Sequence, residues 1–266
     1  MVEGLRREDP PSTPQLAVPV SVPEQCQKIA QHSSSNKAKA IGDLAIIAFY
    51  YLLRVGEYTK PKFITVDGKL QRATRTVQFS VENIGFFKNG KILTRKSDLP
   101  TLLTAESCTL KITNQKNGFM GETIHQNAIP SPHCPVKALA RRVHHILNHD
   151  GTQTNLLCDV WENKNDQWTS ITSEDMIKAI REAVTSLHLH KKGISANLIG
   201  VHSLRAGGTM ALKMNGASDT TIMKQGRWRS LTFLQYIHNQ IAHLSKDISQ
   251  KMSTKLPFQN IAAIEK

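Results

Sequence analysis

The sequence predicts an α+β domain, mainly helical, with a small antiparallel β-sheet. Three observations carry that prediction. The stretch from Ile41 to Leu53 is apolar nearly all round, residues 60 to 130 break into short β-prone runs with Asn-Gly turns between them, and from Cys134 onward apolar stripes recur at helical spacing between caps. A chain of 266 residues has room for one large domain or two small ones around a sizeable core.

Taken in order, residues 1–36 hold five prolines (Pro10, Pro11, Pro14, Pro19, Pro23) and the run Ser33, Ser34, Ser35. That composition disfavours a packed core and reads as a disordered leader or the remnant of a linker. The domain proper is expected over residues 37–249. It opens with the Ile41 to Leu53 segment as a buried central helix that ends near Gly56. Arg54 and Glu57 follow directly, which brings a charged pair to the rim of the core. On its own, Arg54 reads as a helix-end arginine satisfying carbonyls near the negative end of the dipole.

Thr76 to Phe79, Ile84 to Phe87, Lys91 to Thr94, Thr109 to Thr113 and Glu122 to His125 are the expected strands. Lys88-Asn89-Gly90 and Lys116-Asn117-Gly118 supply turns, and the second puts Lys116 at a hairpin tip. Pro135 then starts a helix striped with Val136, Leu139, Ala140, Val143, Ile146 and Leu147, whose outer face carries Arg141, Arg142, His144, His145 and His149. Trp161 to Thr169 read as a polar loop. Thr172 to Asp175 form a capping box ahead of a core helix bearing Met176, Ile177, Ile180, Val184 and Leu187.

A further helix starts at Ser203. His202 and Arg205 stand three apart on its first turn and so point the same way, able to grip one small anion. Gly207 and Gly208 cost the helix about 1 kcal/mol each against alanine, so close approach of another backbone or of a phosphate is expected there. Asn215-Gly216 ends this helix, Ser218 begins a short one from Asp219 to Lys224 that Gly226 closes, and Ser230 begins a last one with Leu231, Leu234, Tyr236 and Ile237. Residues 250–266 form a polar C-terminal tail.

Net charge narrows the function. The chain carries +13 with a pI near 9.7; residues 1–36 contribute −1, so the remainder carries +14. Such an excess suits a polyanionic partner, through counterion release and steering. Aromatic content of 6% gives no stacking platform for single strands, which favours duplex DNA. Cys26, Cys108, Cys134 and Cys158 form no C-x-x-C pair, so neither a disulfide framework nor a zinc ribbon is signalled. The longest apolar run, Leu44 to Leu53, is half of the ~20 residues a membrane span needs, and no signal peptide is apparent. These features read as soluble and intracellular, with no membrane partner, and nuclear if the source is eukaryotic. The sequence has no phosphate-binding loop, no nucleophile elbow and no dense carboxylate cluster. A phosphoryl-transfer enzyme built this way is expected to work without metal or cofactor and on no small-molecule substrate.

As a set, Arg54 in LLRVGE, Lys116 in QKNG, His202 and Arg205 in HSLR, Trp228 in GRW and Tyr236 in FLQYI resemble the active-site series of the tyrosine recombinases, the phage-integrase family. The resemblance lies in order, local context and interval, with 23 residues from Arg205 to Trp228 and 8 from there to Tyr236. It covers roughly residues 36–247, and the phrases YYLLRVGEYT and GRWRSLTFLQYI are similar to recombinases of Crypton and DIRS mobile elements.

The resemblance implies site-specific strand exchange on duplex DNA by a homo-tetramer, through a 3′-phosphotyrosine on Tyr236. Arg54 and Arg205 would hold the non-bridging oxygens, Lys116 (with Lys111 and Lys88 as rivals) would protonate the leaving oxygen, and His202 would assist proton transfer. Trp228 would pack and donate its N–H, with Glu57 as structural support for Arg54. A type IB topoisomerase shares these residue types, and a domesticated, non-catalytic DNA-binding protein is a further alternative. The sequence departs from many members in having Trp228 in place of a histidine, in a slightly short interval to Tyr236, and in offering only residues 1–36 where the family usually carries a helical DNA-clamping domain.

Overall fold

The apolar segment near the start becomes the axis of the fold. A computed structural model describes residues 15–73, 76–113, 121–164, 166–200 and 202–237; Lys116 and the tail at 250–266 lie outside these. Helix α1 (Ser21–Gln31) precedes α2 (Asn36–Tyr50), whose residues Ala40 and Gly42 to Phe49 are all buried. Ser35 caps α2 by accepting a hydrogen bond from the Ala38 N–H. Beyond two short helices, α3 (Val55–Tyr58) and α4 (Leu99–Leu102), three further helices pack around α2: α5 (Pro135–Asn148), α6 (Ser173–Ser186) and α7 (Ser203–Met214). Enclosure by them is why α2 is apolar on every side.

Helix α1 corrects the expectation of a disordered leader for the described part of residues 1–36. Val22, Cys26 and Ala30 recur every four residues along α1 and are buried against α2 and α6, while Val18, ahead of the helix, is buried with its N–H bonded to the Ser203 carbonyl (3.4 Å). Pro23 falls within the first turn, where proline is tolerated because no intrahelical donor is lost. A Cβ on Gly42 would lie 2.9 Å from both Ala30 Cβ and Gln27 Cα, so the glycine lets α1 and α2 cross closely. Gln27 donates to Asp43 (2.8 Å), which also receives the Arg141 guanidinium (2.6 Å).

The main sheet is four-stranded and antiparallel in the order β4-β3-β5-β6, with β3 Ile84–Lys88, β4 Lys91–Leu93, β5 Ser107–Lys111 and β6 Thr123–Asn127. Ile84, Phe86, Cys108, Leu110 and Ile124 face inward. Asn89 and Gly90, both at positive φ, make the predicted turn between β3 and β4. Two hairpins stand apart from this sheet: β1 (Phe63–Val66) with β2 (Lys69–Arg72), and β7 (Asp159–Glu162) with β8 (Gln167–Ser170).

The structure departs from the expected elements in three places. Thr76 to Phe79 is not a strand; the Phe79 N–H instead bonds to the Glu57 carbonyl (2.9 Å) and holds this segment across the site. Trp161 to Thr169 is the β7–β8 hairpin and not a loop, with Trp161 paired to Trp168. Arg142 lies inside, not on the outer face of α5, and donates to the carbonyls of Leu157 (3.2 Å) and Asp159. The capping box between Thr172 and Asp175 is present at the start of α6. Among the described residues no helix is long and apolar enough to cross a membrane.

Candidate active site

The site begins where α2 ends. The chain leaves the helix through Leu52, whose φ of 48° is left-handed, and this turns the Leu52 carbonyl toward the following charged residues. Arg54 then sits at the start of a short helix, α3 (Val55–Tyr58), and not at the end of a long one. The reading of Arg54 as a cap on carbonyls therefore does not hold. Glu57 on the same turn accepts from the Arg54 N–H (2.8 Å) and lies 3.3 Å from its guanidinium.

Arg205 comes from the first turn of α7 and is 1% exposed. Its Nη2 donates to the Gly226 carbonyl (2.6 Å), its Nη1 to the Leu52 carbonyl, and its guanidinium carbon lies 4.2 Å from the Trp228 ring centre. The glycines at 207 and 208 are explained by the fold itself. A Cβ at either would collide with a backbone carbonyl, that of Val18 or of Phe49, so the close approach is of protein and not of phosphate.

Arg227 was not among the residues singled out from the sequence. It closes α8 (Asp219–Gly226) at a left-handed φ of 60°, and its side chain is buried. It pairs with both oxygens of Glu57, at 3.1 and 3.0 Å, and donates to the Leu52 carbonyl at 2.9 Å. One carboxylate thus serves Arg54 and Arg227, and one carbonyl serves Arg205 and Arg227. The available signal was Glu57 itself: a buried carboxylate facing several arginines is bound bidentately by the best placed one.

Trp228 packs over Phe233 and Tyr236, each with ring centres 5.8 Å away, in a small apolar cluster with Leu52 and Ile222. Gly226 has no room for a Cβ because the Trp228 ring lies against it. Tyr236 ends a 3-10 turn (Leu231–Tyr236) that replaces the expected α-helix, and it is partly exposed. His202 is exposed at the N-cap of α7 with its ring 6.5 Å from that of Tyr236. The structure therefore brings Arg54, Glu57, Arg205, Trp228, Tyr236 and His202 into one neighbourhood.

Three guanidinium groups stand around one carboxylate here, two of them in contact with it. Burial alone would push the Glu57 carboxyl up, but Arg227, Arg205 and Arg54 outweigh it and hold the pKa below the ordinary value. Burial, then Arg227 and Arg54, pull the pKa of Arg205 down, against Glu57 and Tyr236. The cluster carries an excess of positive charge in a poorly solvated place, which suits an anion.

Among solved structures, the chain is similar to the XerH site-specific recombinase bound to its palindromic difH substrate in a post-cleavage complex. The TM-score is 0.52 at 13% identity, covering 89% of this chain and 54% of that one. The fold is that of a tyrosine recombinase catalytic domain. The XerA recombinase (TM-score 0.47, 17% identity, 91% of this chain and 66% of that chain) is also similar. So is the Tn1549 transposon integrase in complex with transposon right-end DNA (0.45, 11%, 92% and 69%). The recombinase-like chain spans between about half and two thirds of the length of these proteins. No protein-family model matches it, and no curated protein does.

Proposed function

We propose that this chain cleaves and rejoins duplex DNA, as in site-specific recombination or integration, with Tyr236 as nucleophile. The observation that carries the reading is the convergence of Arg54, Arg205, Trp228, His202 and Tyr236, from segments up to 182 residues apart, in a cationic cluster beside a phenol. The Tyr236 oxygen attacks a backbone phosphorus and gives up its proton with help from His202. The bond to the 5′ oxygen breaks, and that oxygen takes a proton from Lys116. What remains is a 3′-phosphotyrosine and a free 5′-hydroxyl, so the phosphodiester energy is kept for rejoining. Arg54 and Arg205 face the non-bridging oxygens. Arg205 lends two of its five N–H groups to Leu52 and Gly226, which fixes the plane of its fork before substrate arrives. Exchange between two duplex sites would need four copies.

The test is a nicked, labelled duplex incubated with the protein in EDTA and run on a denaturing gel. A 3′ adduct is expected in chelator, since guanidinium groups supply the charge a metal would otherwise bring. Tyr236→Phe removes only the attacking oxygen and should bind DNA without forming adduct. Arg205→Ala should lower cleavage by about 10² to 10³. Absence of adduct with the unaltered chain, or an equal yield from Tyr236→Phe, refutes the mechanism.

A further inference from the structure

The β1–β2 hairpin is a bare ribbon: all eight of its strand residues are exposed, so neither face packs against the rest of the described residues. It nonetheless carries Phe63 (48% exposed), Ile64, Val66 and Leu70 (71% exposed). Opposite residues share a face, so Phe63, Thr65, Leu70 and Arg72 lie on one side and Ile64, Val66, Lys69 and Gln71 on the other. A lone two-stranded hairpin is marginal in water, and this one exposes apolar groups on both sides. An external surface is needed to cover it.

We infer that this ribbon is a DNA-contacting arm that lies in a duplex groove next to the candidate site, an inference that rests on the DNA reading above. Charge selects the partner. Lys60, Lys69 and Arg72 stand against Asp67, with Lys62 held by Glu174, so a second copy of the ribbon would bring like charges together while a duplex would neutralise them. Size agrees: two strands ~4.8 Å apart fit the ~12 Å major groove, which admits a two-stranded ribbon. The apolar side chains would meet thymine methyls on the groove floor, with the lysines at the phosphates.

Position agrees as well. The Arg72 Nη1 donates to Gln78 Oε1 (3.0 Å), and the Gln78 Nε2 donates to the carbonyl of Gly56 (2.9 Å), which lies between Arg54 and Glu57. On its other side the root is held by Lys62 to Glu174 (2.8 Å) and by the Lys60 N–H to the Ile171 carbonyl (2.7 Å). DNA seated on Arg54 would run past the ribbon.

The experiment compares the full chain with a Lys60→Ala, Lys69→Ala, Leu70→Ser triple variant, which alters only exposed side chains. Binding to a 30-base-pair duplex is followed by fluorescence anisotropy across a salt series. The variant should bind at least fivefold more weakly, and its slope of log affinity against log salt should be shallower by about 1.8, for two phosphates at ~0.9 each. Duplex should also protect Lys69 from acetylation in the unaltered chain. Equal affinity and slope for the two proteins, with Lys69 still reactive, overturns the arm and leaves the DNA reading standing. Loss of self-association in the variant with unchanged DNA binding overturns it in favour of a protein interface. If the unaltered chain binds no duplex, both readings fall.

Discussion

Arg227 and Glu57 form a buried, bidentate ion pair, and breaking one side of it strands the other. Arg227→Ala should cost about 3–5 kcal/mol in urea unfolding, because Glu57 would keep only the Arg54 N–H and its longer contact with the Arg54 guanidinium. Arg227→Lys should recover part of this, since it restores the charge without the fork. The pair also sets the acid limb of stability. The folded pKa of Glu57 is lowered, so its contribution is present above the unfolded value of 4.5 and lost as pH falls through the folded value. Glu57→Gln should therefore be less stable at neutral pH and flatter toward acid in pH-dependent melting. These residues show the limits of reading single positions. Arg54, Arg205 and Tyr236 stand in recognisable phrases, but Arg227 depends on a left-handed backbone at the end of α8 and on a partner 170 residues away. Leu52 is equally silent, because its contribution is a carbonyl oxygen that every residue has.

At the level of elements, α1 and the β7–β8 hairpin are two of the places where the structure departs from the sequence expectation. Five prolines and the serine run mark residues 1–36, yet the four-residue recurrence of Val22, Cys26 and Ala30 already contained the helix. Val22→Asp should lower stability on the order of 3 kcal/mol, as a buried carboxylate without a partner does, whereas a solvated leader would tolerate it. A thermal melt separates the two. The β7–β8 hairpin is anchored by the Trp161 N–H, which donates to His145 Nε2 (3.1 Å) and so needs a neutral imidazole. Burial foremost, then Arg142, His149 and other cations, pull His145 down to about 3. Between that value and 6.5 the unfolded chain binds more protons, so this anchor is complete above pH 6.5 and weakens as pH falls below it. Hairpin amides should lose exchange protection at pH 5 relative to pH 7.5, and His145→Gln should remove that difference. The main sheet was legible because its Asn-Gly turn and alternating faces are local. The β7–β8 pairing was not, because polar residues conceal its period.

For the whole molecule, the excess of 13 positive charges predicts that affinity for any duplex falls steeply with salt, about 0.9 in log-log slope per phosphate neutralised. Equal binding at low and moderate salt would remove the electrostatic argument. The buried Glu57–Arg227 pair has one more consequence, in time instead of energy. Its members are 170 residues apart, and α3 with Glu57 is made long before α8. At ~5–20 residues per second, a ribosome takes on the order of 10–30 s to pass from one to the other. During that interval the emerging chain holds a carboxylate destined for the interior with its strongest partner not yet made. Tyr236 is synthesised only after Arg227. A newborn chain therefore gains its candidate nucleophile last, after every other group described at the site has been made.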